Sequence, residues 1–154
     1  MVKCICVLHK NENNIYGIIK FSQNNNSKVR VEYNISGLKD GYHGFHIHEY
    51  GDLTDGCSSS CSHFNPFGVL HGGRKSNIRH VGDLGNIKSI NGISKGYFYD
   101  NMISLNNTNI CSIIGRAIVI HADMDDLGMG NNIESLNTGN SGKRLACGII
   151  GLTK

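Results

Sequence analysis

The residues Lys28-Val29-Arg30-Val31-Glu32-Tyr33-Asn34-Ile35 alternate between polar and apolar side chains. A period of two puts one face in a core and the other in water, which a strand achieves and a helix does not. Similar runs lie near 2–8, 15–21, 42–48, 82–88, 95–100, 116–121 and 144–151. Turn-forming clusters separate them, among them Asn11-Glu12-Asn13-Asn14, Ser36-Gly37, Lys39-Asp40-Gly41 and Asn91-Gly92. About eight short strands at this spacing predict an all-β chain, folded as an antiparallel sandwich or flattened barrel. With 20 glycines, one proline and no tryptophan, the composition favours many turns over a helical bundle. A length of 154 residues suits a single domain over 1–154.

Two connections, 49–81 and 122–143, are far longer than hairpin loops. Long loops in a compact domain are usually functional, and most of the chemistry-bearing residues fall in or beside these two. Asn24-Asn25-Asn26 reads as ordinary turn filler. A formal charge of +3 with no run of like charge argues against nucleic acid or an anionic membrane as partner. No stretch approaches the roughly 20 apolar residues that span a bilayer. Met1 to Cys6 enters a strand-like run without the charged region, apolar run and cleavage site of a secretory signal. An intracellular, cytoplasmic protein is expected.

Six of the eight histidines form a pattern. His46 and His48 stand two apart on a strand, so their rings project from one face and can grip one metal ion. The following loop supplies His63, His71, His80 and Asp83, at spacings of eight, nine and three. Three imidazoles and a carboxylate make a four-coordinate nitrogen and oxygen set suited to zinc. His121 ends the apolar run Ala117-Ile118-Val119-Ile120. Each histidine alone reads as a solvated or hydrogen-bonded side chain; the set with Asp83 reads as metal ligands. Six histidines and Asp83 give seven ligands, one short of two four-ligand sites. One imidazole that loses both ring protons can serve two metals, and the count leaves open which histidine does so.

The cysteines, at 4, 6, 57, 61, 111 and 147, are too sparse for a secreted disulfide scaffold. Cys57 and Cys61 lack the second pair that a zinc knuckle needs. Cys4 and Cys6 read as small strand residues.

Gly44-Phe45-His46-Ile47-His48-Glu49-Tyr50-Gly51-Asp52 resembles the copper-binding signature of copper/zinc superoxide dismutases. Similar to the same family are His63-Phe64-Asn65-Pro66, His71-Gly72-Gly73 and Arg79-His80-Val81-Gly82-Asp83-Leu84-Gly85-Asn86. So are Gly115-Arg116 leading to His121, Asp125-Asp126-Leu127-Gly128, and Gly139-Asn140-Ser141-Gly142-Lys143-Arg144-Leu145-Ala146-Cys147-Gly148. The resemblance runs through essentially the whole chain, in order. It implies an immunoglobulin-like Greek-key sandwich, and an enzyme that disproportionates superoxide to dioxygen and hydrogen peroxide with copper and zinc as cofactors. Copper would be held by His46, His48, His63 and His121, and zinc by His63, His71, His80 and Asp83, with His63 as the bridging imidazolate. His63 would also carry a proton for the peroxide. Asp125 would hydrogen-bond His46 and His71 from behind. Arg144 would attract the anionic substrate, with Lys143 a weaker contributor to the same field. Cys57 and Cys147 would form a disulfide anchoring the first long loop to the last strand.

The resemblance also implies a homodimer, formed through apolar residues near Tyr50-Gly51, Ile114 and Ile150-Gly151-Leu152, and a copper chaperone as partner. His43 reads as a structural loop histidine and His9 as a surface one. Several positions depart from the family. Asn137 replaces the basic residue usual between Glu134 and Thr138, and an acidic position reads Ile133. Cys61-Ser62 stands where Gly-Pro is common, so Cys61 is a free thiol or a competitor for Cys57 or Cys147. The strand before Gly115 holds one extra residue, leaving Cys111 without a firm counterpart. Two other readings are an inactive homologue that binds copper or a metallochaperone, and a copper-only dismutase. The first usually lacks copper ligands or the arginine, and the second lacks the zinc set; this chain has all of them.

Overall fold

A computed structural model describes every residue of the chain except Asn26, so that part of the Asn24–Asn26 reading lies outside the described residues. The strands are β1 (Val2–Leu8), β2 (Tyr16–Gln23), β3 (Val29–Ser36), β4 (Gly41–His48), β5 (Thr54–Cys57), β6 (Asp83–Ser89), β7 (Ile93–Asp100), β8 (Ala117–His121) and β9 (Arg144–Leu152). Eight of them hydrogen-bond in the order β6-β4-β8-β9-β1-β2-β3-β7, and every pairing is antiparallel. The two end strands, β6 and β7, are joined by the turn at Asn91-Gly92, so the sheet nearly closes into a barrel. Both turn residues have positive φ, 52° and 75°, the geometry of a two-residue hairpin whose twist matches its strands. Sequence order and spatial order part company at β3, which precedes β4 but lies beside β7. The expected all-β Greek-key barrel is the fold.

Alternation explains both the core and the position of the site. Along β4, Phe45 and Ile47 enter the core cluster, where Phe45 meets Phe98 edge-on at 6.4 Å and Tyr33 at 6.0 Å. His46 and His48 therefore project from the other face, yet they are only 0% and 1% exposed. The two long loops cover that face. β8 repeats the arrangement, with Ile118 and Ile120 in the core and His121 at its end. The pairing slips between Gly44 and His46 and again between Ile120 and His121. Bulges of this kind re-aim a side chain, and here they flank the ligand histidines. Gly82 lets the first loop return close to β4, since a Cβ there would lie 2.1 Å from the Ile47 carbonyl oxygen.

The two loops are not structureless. The first holds β5 and a 3-10 turn, Ser58–Ser60; the second holds a short helix, α1 (Ile133–Thr138). Asn132 caps α1 by accepting from Ser135 N at 2.7 Å, and Gly139 ends it in the left-handed region. The strand expected before Gly115 is absent among the described residues; turns and a single Ser104–Ser112 bridge replace it. The side chain of Asn106 accepts from Thr108 N, and that of Asn109 from Cys111 N. Such local bonds compete with a ladder. Cys111 is buried there, and Cys4 and Cys6 are core residues.

Two further expectations need correction. Ile150 is fully buried in the core, so it is not a surface residue for a partner chain. His43 lies in β4, not in a loop, with Nδ1 2.9 Å from the His121 carbonyl and Nε2 2.8 Å from that of Lys39. No described helix is long and apolar enough to cross a membrane.

Cys57 and Cys147 are joined across 90 residues with Cα atoms 5.7 Å apart, while Cys61 is free and exposed. The bond ties the first loop to β9. For a closed loop of this size the chain-entropy model gives roughly 4–5 kcal/mol before native strain. Metal-free Cys57→Ser/Cys61→Ser should therefore unfold at lower urea than metal-free Cys61→Ser, by up to about that free energy. Coincident unfolding curves would remove the disulfide from the stability of the fold.

Candidate metal centre

Two sets of four buried donors share one residue. His46, His48, His63 and His121 form the first; His63, His71, His80 and Asp83 form the second, and the donor atoms within each lie within 4.8 Å of one another. In the second set, Asp83 Oδ1 is 2.9 Å from His63 Nδ1, 3.0 Å from His71 Nδ1 and 3.1 Å from His80 Nδ1. His63 Nδ1 and His80 Nδ1 are 3.3 Å apart. A tetrahedral ion with bonds of about 2.0 Å has donor–donor edges of roughly 3.3 Å, so the set has the right size. In the first set, His48 Nε2 and His121 Nε2 are also 3.3 Å apart.

The donor chemistry supports metals at both points. His46 Nδ1, His63 Nε2 and His71 Nδ1 are buried without a hydrogen-bond partner. Buried polar atoms are almost always paired, so three unpaired ring nitrogens aimed into two clusters fit ligands awaiting an ion. The opposite ring nitrogens are held. His46 Nε2 donates to Asp125 Oδ2 at 2.7 Å, His48 Nδ1 to the Cys61 carbonyl at 2.7 Å, and His121 Nδ1 to the Gly142 carbonyl at 3.1 Å. His71 Nε2 donates to Asp125 Oδ1 at 2.8 Å. Each bond fixes a tautomer and turns the free lone pair toward the cluster.

Asp83 divides its labour. Its Oδ2 accepts from Gly72 N at 3.0 Å and His80 N at 2.8 Å, leaving Oδ1 for the cluster. Burial pushes this carboxyl up, but hydrogen bonds from His63, His71 and His80 outweigh that and hold it well below the usual range. Burial also holds His46, His48 and His63 below the ordinary imidazole range, and His121 at about 4. These rings are therefore neutral at neutral pH, each with one N–H and one lone pair. His71 differs: burial pulls it down, but its bond to Asp125 and the nearby Asp83 carboxylate raise it to about 9 in the metal-free protein.

The first set opens onto a cavity of about 620 Å³, whose wall includes His48, His63, His121, Glu134, Asn137 and Arg144. Arg144 Nη1 donates to the Cys57 carbonyl at 2.7 Å and to Ser60 Oγ at 3.3 Å. Glu134 accepts from Thr138 Oγ1 at 2.8 Å. Lys143 and Ile133 are exposed and lie outside this wall, as does the surface residue His9.

Sequence reasoning named every candidate donor, and the resemblance named Asp125, but the groups that hold Asp125, His48 and His121 were missed. Asn86 accepts from Asp125 N and donates to the Asp125 carbonyl, both at 2.8 Å, so it fixes the carboxylate that holds His46 and His71. Its place at the end of the family motif Arg79–Asn86, next to the core residue Ile87 on β6 and so turned away from the core, was the available signal. Gly139 gives room for that contact, since a Cβ there would lie 2.0 Å from Asp125 Oδ1 and 2.6 Å from His71 Nε2. The carbonyls of Cys61 and Gly142 carry no side-chain signal at all.

Fold and donors together define a β-barrel metalloprotein with two adjacent ion sites sharing an imidazole. Residues 15–150 match the family model of copper/zinc superoxide dismutase. A superoxide dismutase [Cu-Zn] of Paramecium bursaria Chlorella virus 1 is 57% identical, over 99% of this chain and 80% of that protein. Superoxide dismutase [Cu-Zn] A of Xenopus laevis is 50% identical over 98% of both chains, and the Saccharomyces cerevisiae protein is 49% identical over 99% of both. The crystal structure of the clock protein EA4 superposes with a TM-score of 0.92 at 45% identity, covering 98% of this chain and 94% of that one. The chain belongs to the copper/zinc superoxide dismutase family.

Because Asp125 holds one histidine of each set, Asp125→Asn should weaken zinc retention by roughly 10–100-fold, the usual scale for a ligand's hydrogen-bond partner. Competition against a zinc chelator measures this. An unchanged affinity would show that Asn86 and the loop backbone suffice.

Proposed function

We propose that this chain disproportionates superoxide to dioxygen and hydrogen peroxide, with copper on His46, His48, His63 and His121 and zinc on His63, His71, His80 and Asp83. One observation carries the reading. His63 turns Nδ1 toward one donor set, while Nε2, buried and unpartnered, is left for the other. A set of four imidazoles suits copper, and three imidazoles with a carboxylate suit zinc. Copper, when bound, supplies the one-electron exchange that takes one superoxide to dioxygen and the next to peroxide, which redox-inert zinc cannot do.

The chain's own residues bring in the anion and manage protons. His63 lies in the cavity wall, so Nε2 is an atom where a proton can be held beside an incoming dioxygen species. Arg144 is half-buried, and its two bonds to the first loop fix the guanidinium plane while leaving other N–H groups for an anion. Apart from the histidines, Glu134 and Arg144 are the charged residues of the wall. Field focusing by such a channel raises association rates by ~10–10³-fold, and here one cation supplies it against one carboxylate. Asn137 adds no charge.

No observation favours the inactive copper-binding reading, because all six histidines, Asp83 and Arg144 are in place. A homodimer and delivery of copper by a chaperone belong to the same proposal. The exposed Tyr50, Ile149 and Leu152 support the dimer, and sedimentation would measure it. The four free cysteines beside one disulfide suit a reducing, cytoplasmic setting, which cell fractionation would check.

Purified protein reconstituted with equimolar copper and zinc should dismutate superoxide; full loading without activity would overturn the proposal. Arg144→Gln should lower kcat/KM by about tenfold or more and flatten its dependence on ionic strength, with both metals retained. Kinetics unchanged in both respects would remove Arg144 from substrate capture.

A further inference from the structure

A second hollow, of about 470 Å³, lies where the loop between His71 and His80 meets the start of β3 and the end of β7. Its wall includes Lys28, Arg74, Lys75, Asn77, Tyr99 and Asn101, none of which lines the first cavity. Three cations face one concavity, in a chain whose whole formal charge is +3. Among the described residues, none of the three takes part in an ion pair.

The wall's one acid, Asp100, compensates them only in part, because its oxygens are engaged elsewhere. Asp100 Oδ2 is paired with Arg79 Nη1 at 2.7 Å, and Oδ1 accepts from Met102 N at 2.8 Å and Ile103 N at 3.0 Å. Its charge and its lone pairs are already used inside the fold. Arg74 is half-buried, with its guanidinium carbon 4.0 Å from the centre of the Phe98 ring. Stacking holds the fork flat, so little freedom remains to be lost when it binds a ligand. Burial disfavours this cation, the attraction of Asp100 offsets only part of that, and no carboxylate forms an ion pair with Arg74 among the described residues.

We propose that this hollow binds a small diphosphate-class anion, either inorganic or carried by a nucleoside. Planar guanidinium groups recognise phosphoryl oxygens through paired charge-assisted hydrogen bonds. Lys28 approaches from the barrel and Lys75 from the loop, so a multivalent anion would be held from two sides. The volume falls within the roughly 300–1,000 Å³ of small-molecule sites. Tyr99, 56% exposed on the rim, offers a ring face on which a base could stack. The occupant would also tie the loop between two zinc-set histidines to the barrel.

Calorimetric titration of the metal-loaded protein with pyrophosphate, at fixed ionic strength, tests the site, with metal content checked afterwards. Arg144 is the competing anion site, so Arg144→Gln is titrated in parallel. Saturable binding is expected in the wild type and in Arg144→Gln. Arg74→Gln should weaken it roughly tenfold or more, the scale of one charge-assisted bond. Lys28→Gln, a surface change, should also weaken it, and both variants should keep full dismutase activity. Binding abolished by Arg144→Gln, affinity unchanged in Arg74→Gln, or a response no greater than to chloride would each overturn the proposal. A nucleoside diphosphate that binds more tightly, with the advantage lost in Tyr99→Ala, identifies a nucleotide; equal affinities identify the free diphosphate. The readout is binding, so it stands whether or not the dismutase reading does.

Discussion

Two hydrogen bonds accepted by one carboxylate, from His46 and from His71 to Asp125, tie the two donor sets together. Six imidazoles crowded into a dry interior repel one another as soon as any becomes charged, and burial already disfavours their protonation. Their lone pairs must nevertheless converge on two points. Asp125 achieves this for one histidine of each set, because a hydrogen bond to the far nitrogen fixes which nitrogen faces inward. Asn86 pins its backbone on both sides, and Gly139 leaves it space. The second loop and β6 are therefore part of the metal site, although neither Asn86 nor Gly139 supplies a ligand.

The barrel contributes rigidity. β4 and β8 are neighbours in the sheet, so His46, His48 and His121 project from adjacent strands whose other faces are locked into the core by Phe45, Ile47, Ile118 and Ile120. The loop donors lack that support. Asp83, at the first residue of β6, is the point where the loop rejoins the sheet, and its second oxygen binds the loop backbone at Gly72 and His80. Rigid strands present one set and a carboxylate gathers the other, with His63 between them.

Periodicity and side-chain chemistry were legible in the sequence. The eight sheet strands fall within a few residues of the alternating runs, since a period of two is written in the residues themselves. The seven candidate donors were equally legible, because a His-x-His pair on a strand, three spaced histidines with Asp83 and a histidine ending an apolar run form one constellation. Family resemblance, not spacing, pointed to the Cys57–Cys147 pair and to Asp125. The failures have separate causes. Between 101 and 116, the side chains of Asn106 and Asn109 accept from the amides of Thr108 and Cys111, and turns stand where a strand was expected. His43 sits in a strand although it resembled a loop residue, because both its nitrogens find carbonyls. Ile150 was grouped with a partner surface by family resemblance, yet it is buried in the core while the adjacent Ile149 faces outward, as strand alternation requires.

One short segment connects features that the sequence kept apart. Cys57 is held by the disulfide, and its carbonyl accepts from Arg144. Four residues on, the Cys61 carbonyl accepts from His48. The 3-10 turn of Ser58–Ser60 sets the distance between these two carbonyls, with Cys61 N donating back to Ser58 at 3.2 Å. To aim its carbonyl at His48, Cys61 takes φ of 66°, the left-handed region that favours glycine. A non-glycine residue there costs on the order of 1–3 kcal/mol, which only a well-anchored neighbourhood can sustain. The disulfide supplies that anchor at the other end of the turn. The placement of Arg144 and the orientation of His48 are thus set by the same few backbone atoms, so a change in this turn acts on both at once.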